Sequence, residues 1–248
     1  MNAPDPFTRI SDFKSQISNL KAPPAPSGLR CFIQAGGRSA RMGEDKAWLL
    51  LNDRPLIEHV LEAAREVTQQ LSIIINPANP HADRYQSLAA QRNAEVIADL
   101  HDHRGPLGGI DTALTRCEDN EAALMLACDL PFVTPEFLKL LRQIHESGSA
   151  ALTIPLDQIN RAQMLAGIYS VVCREPVARM LMWNELMIDR LCLRVSTRLV
   201  TFSEYSHLPL AAELLTNLNT EEDYVAARGI AAARAEPVSQ PLQIQPPR

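Results

Sequence analysis

The sequence predicts a three-layer α/β fold, a mostly parallel sheet with helices packed on both faces. Three observations carry that prediction. From Leu29 onward, short apolar runs rich in β-branched residues alternate with stretches of helical periodicity, the βαβα order that yields parallel strands. A loop rich in glycine and arginine leaves the first of these runs, where an α/β protein turns backbone N–H groups toward phosphates. Acidic and amide residues follow several later runs, at the carboxyl strand ends where open sheets hold ligands. A chain of 248 residues can bury a full core, and one domain of about 200 residues is the simplest partition.

The elements follow in order. Residues 29–35 form a buried strand, and Leu56, Ile57, Val60, Leu61, Ala64 and Val67 recur at the spacing of one helix face. Residues 71–76 are a second strand ended by Pro77; residues 85–90 a short helix; residues 94–98 a third strand. Gly105-Pro-Leu-Gly-Gly109 reads as a tight loop, residues 110–117 as helix, and residues 122–128 as the central strand. Thr134, Pro135 and Glu136 open the next helix as hydroxyl cap, first-turn proline and first-turn acid. Phe137, Leu138, Leu141 and Ile144 supply its apolar face. Residues 150–154, 164–171 and 198–202 read as strands, and residues 176–187 as a helix. Thr220 and Asp223 have capping-box spacing at the start of the last helix, where Asn219 is an alternative cap.

The ends differ in composition. Residues 1–28 finish in a proline-rich stretch and read as a disordered or partly helical extension; residues 232–248 read as a Pro-rich disordered tail. That leaves residues 29–231 as the folded domain.

Charged residues make up 21% of the chain and the net charge is −5, so neither nucleic acid nor membrane is an expected partner. The five cysteines form no CxxC pair, which argues against a disulfide framework or zinc site. They read as small buried thiols of a reducing, cytoplasmic compartment. No run of 18 apolar residues and no secretory h-region is present.

The loop from Ala35 to Lys46 carries the most chemistry. Gly36 and Gly37 lack a Cβ, so the main chain there can come close to a ligand. Arg38, Arg41 and Lys46 add the positive charge a polyphosphate requires. Gly43 is followed by Glu44, which excludes a Walker loop, and the glycine spacing does not match the dinucleotide fingerprint. Asp129 ends the buried central strand, where a carboxylate is costly unless paired or bound to a cation. Mg²⁺ needs only one or two carboxylates beside phosphate oxygens, so Asp129 is a candidate ligand. Asp99, after the third strand, has three open roles: completing the metal site, accepting hydrogen bonds from a base, or capping its loop. Asn217 and Asn219 alternate, so both amides point one way and can bind a polar heterocycle or a phosphate. His101 and His103 show no metal spacing and read as solvated.

The segment Ala35-Gly-Gly-Arg-Ser-Ala-Arg-Met-Gly-Glu-Asp-Lys46 resembles the signature of nucleotidyltransferases with a Rossmann-like fold of the nucleotide-diphospho-sugar transferase type. Gln34 departs from it, standing where an aliphatic residue is usual. Together with Gly105-Pro-Leu-Gly-Gly109, Cys128-Asp-Leu-Pro131 and Asn217-Leu-Asn-Thr220, it is similar to the molybdenum cofactor guanylyltransferases from about Leu29 to Arg228. The resemblance implies that residues 29–231 form a nucleotidyltransferase domain that joins GMP from GTP to the phosphate of molybdopterin, the Mo cofactor, and releases pyrophosphate. It implies that Ala35, Gly36, Gly37 and Lys46 hold the GTP phosphates and ribose, with Asn76 and Asp99 near the guanine. By the same resemblance Asp129 binds Mg²⁺ and Asn217 and Asn219 contact molybdopterin. Lys46, Arg38 and Asp129 would then be the catalytic set, neutralising charge on the departing pyrophosphate. Molybdoenzymes or their chaperones would receive the product. Ala162-Gln163-Met164 departs from relatives, which often carry a His-Pro pair there. Alternatives on the same fold are cytidylyl transfer to molybdopterin or nucleotidyl transfer to a sugar phosphate; a further one is a non-catalytic GTP-binding partner that delivers cofactor.

Overall fold

The structure, a computed structural model, describes residues 26–35 and 45–235. A seven-stranded sheet in the order β5-β4-β1-β6-β8-β7-β9 forms the middle layer. Its first half is parallel: β1 (Gly28–Gln34) lies between β4 (Leu71–Ile75) and β6 (Glu121–Ala127), and β5 (Glu95–Ala98) is the edge. In the second half β8 (Ala166–Ser170) runs antiparallel to both β6 and β7 (Leu152–Pro155), and β9 (Thr197–Val200) pairs parallel with β7. The carboxyl ends of every strand except β8 therefore lie on one rim. The fold agrees with the mostly parallel α/β sheet expected from sequence.

The strands alternate their side chains between two cores, as period-2 geometry requires. Cys31, Ile33, Ile73, Leu124 and Leu126 pack on one face with α1 (Leu56–Arg65) and α4 (Pro135–Ser147). Phe32, Ile74, Ala123 and Met125 pack on the other with α3 (Gly105–Arg116) and α5 (Arg174–Met182). All seven residues of β6 are buried, and each large aliphatic among them contributes about 1.5–3 kcal/mol by leaving water. All five cysteines are free and buried, as expected from their apolar contexts. Among the described residues no helix is long and apolar enough to cross a membrane.

Several boundaries moved for identifiable reasons. The helix read over 176–187 ends at Met182, because Asn184 takes a φ of 56° and closes the chain. Glu185 N–H donates to the Met180 carbonyl and Asn184 N–H to that of Leu181, a Schellman pattern. The strand read over 198–202 stops at Val200: Thr201 and Glu204 form a capping box that starts α6 (Phe202–Tyr205). A two-strand ribbon, β2 (Leu50–Leu51) and β3 (Arg54–Pro55), was missed. Its signal was Asn52-Asp53, whose φ values of 48° and 59° suit a type I′ turn.

The glycine loop of 105–109 is a correction. Gly105 takes a φ of 59° and starts α3, so Gly108 and Gly109 lie inside a helix rather than in a turn. Their lack of a Cβ serves packing. A Cβ on Gly109 would lie 2.5 Å from the Gln34 amide, and one on Gly108 would lie 3.1 Å from His101 Cβ. Gln34, the departure from the aliphatic pattern, donates to the Gly105 carbonyl at 3.3 Å and so ties β1 to the start of α3.

Candidate active site

Lys46 is held by its neighbours before it touches anything functional. Asp45 caps the 3-10 turn Lys46–Trp48 by accepting from Ala47 N–H at 3.2 Å. Its other oxygen accepts from the Tyr85 hydroxyl, 2.7 Å away on α2 (Ala82–Gln91). The Trp48 and Tyr85 rings meet at 4.9 Å, and the Arg84 guanidinium stacks 4.0 Å over Trp48. The turn is thereby fixed on α2, with the Lys46 ammonium aimed at the rim.

That ammonium donates to Asn219 Oδ1 at 2.8 Å and sits 3.9 Å from Asp129 Oδ2, both charged side chains being 16% exposed. Residues 173 positions apart in the chain thus converge at the end of β6. Burial raises the Asp129 carboxyl above its ordinary value, and the nearby Lys46 cation only partly offsets this. The Asp129 carbonyl accepts from Leu218 N–H at 3.2 Å, which tethers the segment carrying both asparagines.

The last helix, α7 (Glu221–Ala235), is capped by Thr220 and not by Asn219. Thr220 Oγ1 accepts from Asp223 N–H at 3.1 Å, and Asp223 Oδ2 accepts from the N–H groups of Thr220 and Asn219 at 2.8 and 2.9 Å. The Asn219 side chain is therefore released from capping. It lines a cavity of 860 Å³, together with Asn217, Gln163, Asp157, Arg161 and Met164. The cavity opens beyond β7 and β8, on the side of Asp129 away from β4 and β5.

The other expected residues distribute along the rim. Ala35 follows β1 and is buried, its N–H bonded to the Ile74 carbonyl at 2.9 Å. Asn76, after β4, caps its own turn through Ala78 N–H at 2.8 Å and donates to Asp102 at 3.1 Å. Asp99 Oδ1 accepts from Thr112 Oγ1 at 2.9 Å and from His101 N–H at 3.0 Å, the loop-capping role among its three readings. Three strand steps separate β5 from β6, about 14 Å at 4.8 Å per step, too far for Asp99 and Asp129 to share one cation. Among the described residues no group of three His, Cys, Asp or Glu side chains could hold a metal. His101, read as solvated, is only half-exposed and pairs with Asp111 at 2.6 Å; spacing along the chain gives no view of that partner. Gly36, Gly37, Arg38 and Arg41 lie outside the described residues.

Sequence reasoning missed Asp45 and Tyr85, which set Lys46, and Gln163, which touches Asn217 at 3.2 Å. The only sequence signal for Asp45 was its place one residue before Lys46.

An ammonium and a carboxylate meeting at the carboxyl rim of an open α/β sheet are the arrangement of a nucleotidyltransferase site. The chain belongs to the MobA-like NTP transferase family, whose domain model matches residues 31–190. A probable molybdenum cofactor guanylyltransferase of Carboxydothermus hydrogenoformans is 31% identical over 196 residues, covering 79% of this chain and 93% of that one. The molybdenum cofactor guanylyltransferase of Burkholderia cenocepacia is 35% identical over 150 residues, covering 58% of this chain and 71% of its own. Among solved structures, molybdopterin-guanine dinucleotide biosynthesis protein A of Archaeoglobus fulgidus superposes with a TM-score of 0.70 at 24% identity, covering 82% of this chain and 99% of that one. That likeness supports the fold.

Proposed function

We propose that this chain transfers GMP from GTP to the terminal phosphate of molybdopterin and releases pyrophosphate. The observation that carries the reading is the meeting of Lys46, Asp129 and Asn219 between two spaces, the rim from β5 to β1 on one side and the 860 Å³ cavity on the other. Asn76 and Asp99 at the far rim suit the guanosine end. The ends of β5 and β4 lie three and two strand steps from that of β6, about 14 and 10 Å, which leaves room for a nucleoside between the far rim and Asp129. Asn217 and Asn219 in the cavity suit the acceptor. The relatives' names supply the identity of both substrates.

The chemistry requires little of the protein beyond alignment and charge. An acceptor phosphate oxygen, already ionised at neutral pH, attacks the α-phosphorus of GTP; a P–O bond forms as the α–β bridge breaks and pyrophosphate departs. Lys46 neutralises charge that grows on the phosphates, in a site dry enough for the effect to be large. Asn219 fixes the ammonium between the two substrates. A divalent cation fits the site: Asp129 is a carboxylate that burial leaves short of positive charge even with Lys46 at 3.9 Å. Asp129 would hold Mg²⁺, which supplies further charge neutralisation on the triphosphate. Arg38 and the Gly36-Gly37 backbone would complete the phosphate contacts.

The test is direct. Purified protein with Mg²⁺, molybdopterin and each of GTP, CTP, ATP and UTP should release pyrophosphate with GTP and form the guanine dinucleotide. A preference for CTP, or nucleotide binding without pyrophosphate release, would transfer the assignment to the cytidylyl or delivery alternative.

A further inference from the structure

Gln163 lies between Asp157 and Asn217, and neither the reaction nor the fold accounts for its side-chain contacts. Its Oε1 accepts from Asn217 Nδ2 at 3.2 Å, and its Nε2 donates to Asp157 Oδ2 at 3.2 Å. All three residues line the 860 Å³ cavity.

The direction of these bonds follows from charge alone. Asp157 lies after β7 in a turn closed by its own carboxylate, which accepts from the N–H groups of Ile159 and Arg161 at 3.0 and 2.9 Å and from Arg161 Nε at 2.9 Å. Burial pushes the Asp157 carboxyl up, but these donors outweigh it and hold the group below the ordinary range. An ionised carboxylate can only accept, so Gln163 must turn its NH₂ toward Asp157 and its oxygen toward Asn217. Asn217 in turn spends an N–H on Gln163 and keeps its Oδ1, which has no partner among the described residues. For Asn219 the logic is reversed. The Lys46 ammonium can only donate, so Asn219 gives it Oδ1 at 2.8 Å and keeps its NH₂.

We propose that Gln163 is a positioning residue for the acceptor: by relaying the polarity of Asp157, it fixes the Asn217 amide so that the cavity presents an oxygen from Asn217 beside an N–H pair from Asn219. Such an edge complements a heterocycle carrying a donor and an acceptor side by side, as the fused amide–amidine ring of a pterin does. A flipped Asn217 would set donor against donor, so the relay discriminates by orientation as well as by contact. The inference rests on the reading that this cavity takes the acceptor.

The experiment uses the full chain with Mg²⁺, GTP and molybdopterin. Kinetics and calorimetric titration of molybdopterin are compared for wild type, Gln163→Leu, Asn217→Ala and the double variant. Each single variant should weaken molybdopterin about tenfold while the KM for GTP moves less than twofold. The double variant should be no worse than Asn217→Ala, because Gln163 acts through Asn217. Gln163→His, whose ring can donate at one nitrogen and accept at the other, should recover affinity to within about threefold of wild type. A Gln163→Leu of normal affinity beside a weakened Asn217→Ala overturns the relay and leaves the acceptor site standing. Multiplicative losses in the double variant also overturn it, since Gln163 would then touch the ligand itself. An Asn217→Ala variant with unaltered molybdopterin affinity removes the acceptor-site reading, and the relay's role with it.

Discussion

Replacing Lys46 with alanine removes one ammonium from the point where the proposed reading has both substrates meet. The ion pair with Asp129 spans 3.9 Å, which at an effective dielectric of about 20 corresponds to about 4 kcal/mol of charge interaction. A phosphate oxygen held at similar range in the transition state loses an interaction of that order. Measured losses of single charge-stabilising groups in enzyme sites are about 10²–10³-fold, and the two magnitudes agree. The expected result is a fall in kcat for GMP transfer of about 10²–10³-fold. The Lys46 side chain is 16% exposed and its loss takes the cation away from Asp129, so the melting temperature should fall by about 2–8 °C, with turnover compared well below it. Pyrophosphate release under saturating GTP and molybdopterin is the assay, with circular dichroism melts as the control. A Lys46→Ala protein retaining more than a tenth of wild-type turnover would refute the electrostatic role assigned here.

Three further outcomes test the supporting structure. Tyr85→Phe removes the hydroxyl that anchors Asp45 at 2.7 Å; kcat/KM should fall about tenfold, the equivalent of one hydrogen bond in the site, and an unchanged value would mean that the Lys46 turn needs no anchor. Gly109→Ala puts a Cβ 2.5 Å from the end of the Gln34 side chain, so Gln34 must turn away and give up its bond to the Gly105 carbonyl; the lost bond and the helix-propensity gain should leave urea stability within about 1 kcal/mol of wild type, and a loss of more than about 2 kcal/mol would show that Gln34 cannot move. His145 is buried between Thr153 and Ser170, and burial lowers its pKa to about 4. An unfolded His near 6.5 binds its proton first as pH falls, so stability is full above pH 6.5 and declines toward pH 4. The drop from pH 7.5 to pH 5 should be about 2 kcal/mol, seen in urea midpoints and absent from the corresponding drop for His145→Asn.

What was legible in the sequence was local. The β1 run, the Thr134-Pro135-Glu136 helix start and the Thr220–Asp223 capping box are written in adjacent residues, and each was found where expected. The convergence of Lys46, Asp129 and Asn219 was also legible, because carboxyl strand ends share a rim once the strands are parallel. What failed was reading glycine as turn. Gly108 and Gly109 lie within a helix, where they pack closely on His101 and on Gln34, the latter 75 positions from Gly109 in the chain. The anchoring of Asp45 by Tyr85 and of Asn217 by Gln163 was hidden for the same reason. Such contacts between side chains of distant elements depend on packing that no periodicity encodes.

A crystal structure of the chain with Mg²⁺ and a GTP analogue bearing a methylene α–β bridge tests the central claim most directly. The Lys46 ammonium should lie within about 3.2 Å of a triphosphate oxygen, with an Asp129 carboxylate oxygen about 2.1 Å from the metal. A triphosphate seated in a cleft that neither side chain reaches would contradict the account.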